Sequence, residues 1–316
     1  MEKAIAIDIG GTNTYFALID SEGNILDKKS VPTQGHKDLN AYLCTLFAGL
    51  YDIAGDHSIS GIGIGAPCAN YETGEIEAAT DLPWPSPIPL KAIFEKEFGV
   101  PVFVSNDAKV AAMGEMMFGA ARGMDNFIMI TLGTGVGSGI VCDGKILSGR
   151  NGFAGELGHV TVSYDKKRPC KCGRYDCLQN YCSASGVVDT AINLLHDTKE
   201  DSLLRDIKEE DLTPKYIYEC AEKGDGLSIR VYEETGKVLG KACANFAAFS
   251  APEAFVFFGG VSKALKLMEP SIRQAMEDNI LFLYKNKVKI LQSGLEEADA
   301  ALLGASALVF NSLKTK

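Results

Sequence analysis

Three glycine-rich segments carry residue types suited to phosphate. Asp8-Ile9-Gly10-Gly11-Thr12-Asn13 closes the apolar run Ala4 to Ile9. An Asp at a strand end can hold a hydrated Mg²⁺, while glycine amides approach phosphate oxygens with no side chain in the way. The same segment also fits a β-hairpin whose glycines take positive φ and whose Asp accepts turn hydrogen bonds. Leu132-Gly133-Thr134-Gly135-Val136-Gly137-Ser138-Gly139 repeats the device after a second apolar strand. Two such turns at matching places in two half-chains point to opposing phosphate clamps. Gly259-Gly260 ends the strand Phe255 to Phe258 ahead of a helix start at Val261-Ser262, where backbone could pass close to an adenine or ribose.

Proton and metal chemistry come from two further segments. Asn106-Asp107 follows the strand Val102 to Ser105 and opens a helix, so Asp107 is either an N-cap or a base that takes the proton of a hydroxyl attacking a γ-phosphate. Glu156-Leu157-Gly158-His159 puts a carboxylate and an imidazole on one face if the segment is helical. Cys170, Cys172 and Cys177 follow, and three thiolates with one imidazole complete a tetrahedral zinc set. With one ring nitrogen of His159 on the metal, the other could hydrogen-bond a sugar hydroxyl.

The elements that must position these residues alternate strand and helix. Strands are expected at 4–9, 15–20, 25–30, 61–65 and 102–105, and helices at 38–54, 89–98 and 107–118. The order restarts with strands at 127–132, 138–142 and 145–147, then helices at 183–196, 214–222 and 226–249. A strand at 254–258, a helix from Ser262, a strand at 288–291 and a helix at 298–311 complete it. The second half reads as a variant copy of the first. The expected division is an N-terminal lobe of residues 1–118 plus 298–316 and a C-terminal lobe of 119–297 with the zinc loop, a cleft between them. Residues 83–89, dense in proline, read as a stiff surface loop in which only Trp84 is large enough to line a binding surface, and 197–213 as a charged, helix-poor connector.

Composition bounds what such a chain can be. At 316 residues, 46% hydrophobic and 23% charged, it has room for two cores and is neither disordered nor a disulfide miniprotein. A net charge of -10 opposes attraction to nucleic acid or anionic lipid, so neither is an expected partner. The most apolar later stretch, 242–258, contains Asn245, Ser250, Pro252 and Glu253, which excludes it as a membrane span. The N-terminal apolar run is too short for a signal-peptide core. Nine cysteines, mostly scattered but with one cluster at 170–182, suit reduced thiols in the cytoplasm and one metal site.

Together these residues resemble the ROK family (repressor, open reading frame, kinase) of bacterial sugar kinases, particularly its glucokinases. Gly65-Ala66-Pro67, Thr73-Gly74, Leu82-Pro83-Trp84, Asn106-Asp107-Ala108 and Gly155-Glu156-Leu157-Gly158-His159 add to the glycine turns and the cysteine cluster, in family order from Ala4 to the last helix. The resemblance implies a duplicated actin-like, hexokinase-type α/β fold, ATP with Mg²⁺, structural Zn²⁺, and a homodimer or higher homo-oligomer. It implies Asp107 as catalytic base, with Asn106, Asp107, Glu156, His159 and Gln179 as hexose ligands. Asp8 (also a Mg²⁺ ligand), Gly10, Gly11, Thr12, Asn13, Gly133, Thr134, Gly135, Gly259 and Gly260 would face ATP, and His159, Cys170, Cys172 and Cys177 would hold zinc.

This chain departs from the family pattern at Cys68 (usually Gly), Lys109 (commonly Asn) and Gln179 (Glu). The implied activity is transfer of the ATP γ-phosphoryl group to the 6-hydroxyl of an aldohexose, glucose first. The alternatives are N-acetylglucosamine, N-acetylmannosamine, mannose, fructose or allose as substrate, or a non-catalytic sugar-sensing regulator. Family repressors carry a DNA-binding module ahead of the sugar domain, whereas the first strand here begins at residue 4.

Overall fold

The structure, a computed structural model, describes residues 1–78 and 82–314. It forms two compact units, one of Met1–Asp125, Gly139–Ala154 and Gly294–Lys316, the other of Asn126–Ser138 and Gly155–Ser293. In the first, β1 (Lys3–Ile9), β2 (Asn13–Asp20) and β3 (Ile25–Pro32) make an antiparallel meander. Helix α1 (Leu39–Ala54) leads to β4 (Gly61–Gly65), and a small hairpin, β5 (Ala69–Asn70) and β6 (Glu75–Ile76), follows. Then come α2 (Leu90–Phe98), β7 (Val102–Ser105) and α3 (Asp107–Phe118). The sheet order is β3-β2-β1-β4-β7, with β4 parallel to both β1 and β7.

Alternation along the strands decides what covers each face. Ile5, Ile7, Ile9, Ile62 and Ile64 pack with Leu43, Leu46 and Leu50 of α1 and Phe94 of α2. The opposite face presents Ala6 and Ala17, and there the C-terminal helix Ala300–Lys314 (α9) and α3 pack. The small residues are required by that approach, because a Cβ on Gly63 would lie 1.8 Å from the Ala305 carbonyl oxygen. Each buried Ile contributes roughly 1.5–3 kcal/mol.

A second sheet repeats the arrangement, most of it in the second unit. Strands β8 (Phe127–Leu132), β9 (Val136–Cys142), β10 (Lys145–Ile146), β11 (Ala254–Phe258) and β12 (Lys289–Gln292) form a sheet ordered β10-β9-β8-β11-β12. β11 runs parallel to β8 and to β12. Its helices are α4 (Gln179–Cys182), α5 (Ala184–Asp197), α6 (Pro214–Glu222), α7 (Gly226–Ser250) and α8 (Leu265–Asn279). Gly236 and Gly240 let α7 approach α8 so closely that a Cβ at either would fall within 2.7 Å of a carbonyl oxygen of α8. Both sheets thus share one order, as expected of a duplication.

Several sequence expectations change. Trp84 does not line a surface: it is 7% exposed, with its ring 4.4 Å from that of Tyr42. Burying so large a ring outweighs the tendency of a proline-rich segment to stay on the surface. The helix expected from Ser262 begins as a 3₁₀ stretch, Gly260–Ala264, and 197–213 contains 3₁₀ turns at Leu203–Asp206 and Glu209–Asp211. Residues 139–154 group with the first unit rather than the second, held there by contacts such as Gly139 against Ala112 and Lys109 Nζ on the Gly152 carbonyl. Of the expected terminal segment 298–316, residues 315–316 lie outside the described residues. Among the described residues no helix is long and apolar enough to cross a membrane.

Candidate active site

In the first unit the parallel strands β1, β4 and β7 end at one edge. The register places Asp8 beside Gly65 and Gly65 beside Ser105, so Asp8 and Ser105 stand about 10 Å apart at ordinary strand spacing. Asn106 and Asp107 follow directly. The cap of α3 is Asn106, whose Oδ1 accepts from the Lys109 amide at 2.9 Å. Asp107 is therefore the first helical residue, not the cap, and it is exposed at the sheet edge. Its Oδ1 accepts from the neighbouring Ala108 amide at 2.8 Å. With Oδ1 of Asn106 committed to the cap, the amide nitrogen of that side chain is the group it can offer a ligand.

The turn after β1 is closed by Gly10 N on Asn13 O at 3.0 Å and braced by Thr33 N on Thr12 O and Gln34 Nε2 on Gly11 O. Thr12 and Asn13 are exposed. Burial, and then the charge of Asp107, push the Asp8 carboxyl up from 3.8 to about 6. An Asp held up by burial and by a neighbouring carboxylate at a strand edge fits a divalent cation, which would favour its ionised form. Cys68, standing where the family pattern has Gly, holds φ +52, a left-handed conformation that glycine adopts without strain.

The Asp8 shift makes a testable prediction. Between 3.8 and about 6 the folded protein holds a proton that the unfolded chain has released, so metal-free stability should fall as pH rises through that window. In Asp8→Asn the fall should be smaller, and Mg²⁺ should offset it in the wild type by favouring the ionised carboxylate. Thermal melts across the window with and without Mg²⁺ measure this, and parallel curves for the two proteins would contradict it.

The second unit offers a matching edge. Parallel β8 and β11 bring Thr131 opposite Phe258, so the turn Gly133-Thr134-Gly135 and the pair Gly259-Gly260 emerge side by side. Gly133 N bonds Gly135 O at 3.0 Å, and Ala184 N at the start of α5 holds Gly133 O at 2.8 Å. Gly259 has φ +95, and a Cβ there would lie 2.7 Å from Leu132 O; Gly133 and Gly260 face open space. Leu157–His159 is a single 3₁₀ turn closed by His159 N on Glu156 O at 3.0 Å. Gly158 seats it on β9, where a Cβ would lie 1.9 Å from Val136 O. Ser138 Oγ donates to Gly155 O and accepts from Leu157 N. Glu156 and His159 are thereby fixed next to the second glycine turn.

Four ligand atoms, from His159, Cys170, Cys172 and Cys177, all lie within 4.8 Å of one another. His159 Nδ1 is 3.7 Å from Cys170 Sγ, and Cys172 Sγ is 3.6 Å from Cys177 Sγ. The edge of a zinc tetrahedron with sulfur at about 2.3 Å is about 3.8 Å, so donor set and spacing fit Zn²⁺. Hydrogen bonds from the Arg174 amide and side chain hold the Cys172 thiol down at about 6, while burial pushes Cys177 up to about 12. Gln179 Nε2 donates to Cys170 Sγ at 3.2 Å, so the structure puts its amide on the thiol loop.

Asp176, which sequence reasoning missed, organises that loop. It is fully buried at φ +54 and accepts from Arg168 N and Tyr181 Oη, each at 2.8 Å, and from Lys167 N at 3.2 Å. Burial alone would raise its pKa; those donors outweigh it and hold the carboxyl below its ordinary value. The Arg168 guanidinium lies 4.3 Å over the Tyr181 ring and donates to Asn180 O, Gly186 O and Thr190 Oγ1. An Asp directly before a Cys in a short loop is a turn-acceptor signal, and it was the one hint available.

The ROK family model matches residues 4–312. A glucokinase of Halalkalibacterium halodurans is 40% identical over 281 residues, 86% of this chain and 84% of that protein. The solved structure of a ROK family glucokinase from Streptomyces griseus in complex with glucose and AMPPNP is 32% identical, with TM-score 0.75 over 97% of this chain and 98% of that one. A xylose repressor of Caldicellulosiruptor bescii is 29% identical over 256 residues, 81% of this chain and 63% of that protein.

Proposed function

The chain belongs to the ROK family, and we propose that it is a kinase transferring the γ-phosphoryl group of ATP to the 6-hydroxyl of glucose. One observation carries the reading most: Asp107, freed from capping by Asn106, stands exposed at the sheet edge beside Asp8. In the proposed reaction the hexose hydroxyl gives its proton to Asp107 as its oxygen bonds to the γ-phosphorus. The bond to the β,γ-bridging oxygen breaks, and ADP leaves with that electron pair. Mg²⁺, when bound, neutralises phosphate charge; Asp8 is the residue that would hold it.

Asn106, Asp107, Glu156 and His159 are the proposed hexose ligands. His159 would turn Nδ1 to zinc and offer Nε2 to the sugar. Gly10 to Asn13, Gly133 to Gly135 and Gly259-Gly260 would supply amides to the nucleotide. Positioning and charge neutralisation then account for most of the catalysis, since phosphoryl transfer has a loose transition state. The glucokinases at 40% and 32% identity support glucose over other hexoses. ADP release from ATP and Mg²⁺ with a panel of glucose, mannose, fructose, allose and N-acetylhexosamines tests the reading; turnover with none of them would overturn it.

Gln179 gives a specificity test. A carboxylate cannot donate to Cys170 Sγ, so Gln179→Glu should turn its oxygens toward hexose hydroxyls. Charge-assisted bonds being about twice as strong as neutral ones, kcat/KM for glucose should rise about fivefold, ~1 kcal/mol. A fall for glucose equal to that for an N-acetylhexosamine would mean that the pocket is shaped around Gln179 for another sugar.

A further inference from the structure

Lys109 is one of the few charged side chains buried among the described residues, at 3% exposure, and it stands where the family pattern commonly has Asn. It lies on the first turn of α3, the helix that Asp107 opens. Its Nζ donates to the Gly152 carbonyl at 2.5 Å. A second buried polar side chain reaches the same segment: Asn70 of β5, 3% exposed, donates through Nδ2 to the Asn151 carbonyl at 2.9 Å and to Glu77 Oε1. Its Oδ1 accepts from Glu72 N at 2.9 Å, which fixes the amide orientation. Gly152, at φ +75, has no room for a Cβ, which would lie 2.0 Å from Asn70 Oδ1.

Adjacent carbonyls at residues 151 and 152 are therefore held from two directions, by the helix bearing Asp107 and by strand β5 of the small hairpin. The segment carries two positive-φ glycines before residue 153, Gly149 and Gly152, and a third at Gly155. Among the described residues its own closing bonds are Gly152 N on Gly149 O at 3.4 Å and Ala154 N on Ser148 O at 3.0 Å. Such a segment takes its conformation from what anchors it. It also leads directly into Glu156, where the chain has passed from the first unit to the second.

We propose that Lys109 and Asn70 are positioning residues that fasten residues 149–154 as a strap, and that the fastened strap sets the point from which Glu156 and His159 are presented to the hexose. This rests on the proposed hexose-kinase reading. A cationic donor on Gly152 O forms a charge-assisted bond in a buried setting, stronger than the neutral bond an amide would make. Removing it leaves a buried carbonyl without that donor and frees a glycine-rich segment.

The test compares wild type, Lys109→Met, Lys109→Asn, Asn70→Ala and the Lys109→Met/Asn70→Ala double variant. Amide hydrogen exchange over 148–156 should quicken at least about tenfold in each single variant while the core strands stay protected. Hexose KM should rise about tenfold or more, with ATP KM within about twofold, a split that mere loss of folded protein would not produce. The double variant should show less than the product of the two single effects, because both anchors hold one strap. Unchanged exchange over 148–156 overturns the anchorage. Faster exchange with unchanged hexose KM, or equal rises for hexose and ATP, overturns the positioning role. If the wild type phosphorylates no hexose, the kinase reading fails and the positioning role with it, while the exchange experiment still decides the anchorage. Should Lys109→Met fail to fold, Lys109→Asn and Asn70→Ala carry the same comparison.

Discussion

Asp107→Asn should lower kcat by at least about 100-fold while leaving hexose affinity within about tenfold, the low end for loss of a general base. The substitution keeps shape and hydrogen-bonding reach. The cap of α3 is Asn106 and is untouched, and an Asn oxygen can still accept from Ala108 N. What disappears is the capacity to take a proton as the hydroxyl attacks. Removing the charge also relieves Asp8, whose carboxyl Asp107 helps push up to about 6, so the variant should fold as well as wild type. Steady-state kinetics with calorimetric hexose titration measure this. Turnover near the wild-type value would remove Asp107 from the mechanism.

Loss of the metal should have the second-largest effect. Elemental analysis should find about one zinc per chain, and Cys172→Ser should lose it and raise hexose KM at least about tenfold, because His159 is then no longer held through Nδ1. Cys172 is exposed, so the substitution itself disturbs no packing. The loop should loosen without unravelling, since Asp176 and Arg168 tie it independently to backbone and to α5. Hydrogen exchange should therefore rise around 159–177 while α5 stays protected. A metal-free preparation with wild-type hexose KM would sink the zinc assignment.

Much of this was legible without coordinates. Alternation in Ala4 to Ile9 and in Gly61 to Gly65 marks strands with one large and one small face, and those are the faces taken by α1 and by α9. The glycine turns, Asn106-Asp107 and the cysteine cluster announce themselves because phosphate, proton and metal chemistry each demand particular residue types at short spacing. The ligand atoms of His159 and the three cysteines do converge.

Trp84 was misread because a local proline count says nothing about the aromatic partner, Tyr42, that buries it. Asp176 and Lys109 were underread for a related reason. A charged residue in a loop or on a helix defaults to the surface, and only the donors around Asp176 and the carbonyl facing Lys109 show otherwise.

The sequence by itself thus determined the order of the main strands and helices, the duplication and which residue types could do chemistry, since these follow from periodicity and local spacing. Only the tertiary structure decided that Asn106 rather than Asp107 caps α3, that Gln179 turns to Cys170, and that Lys109 and Asn70 meet on neighbouring carbonyls. Those outcomes depend on which of several satisfiable hydrogen-bond partners a polar group reaches. Once burial removes water as a partner, residues far apart in the chain settle that choice.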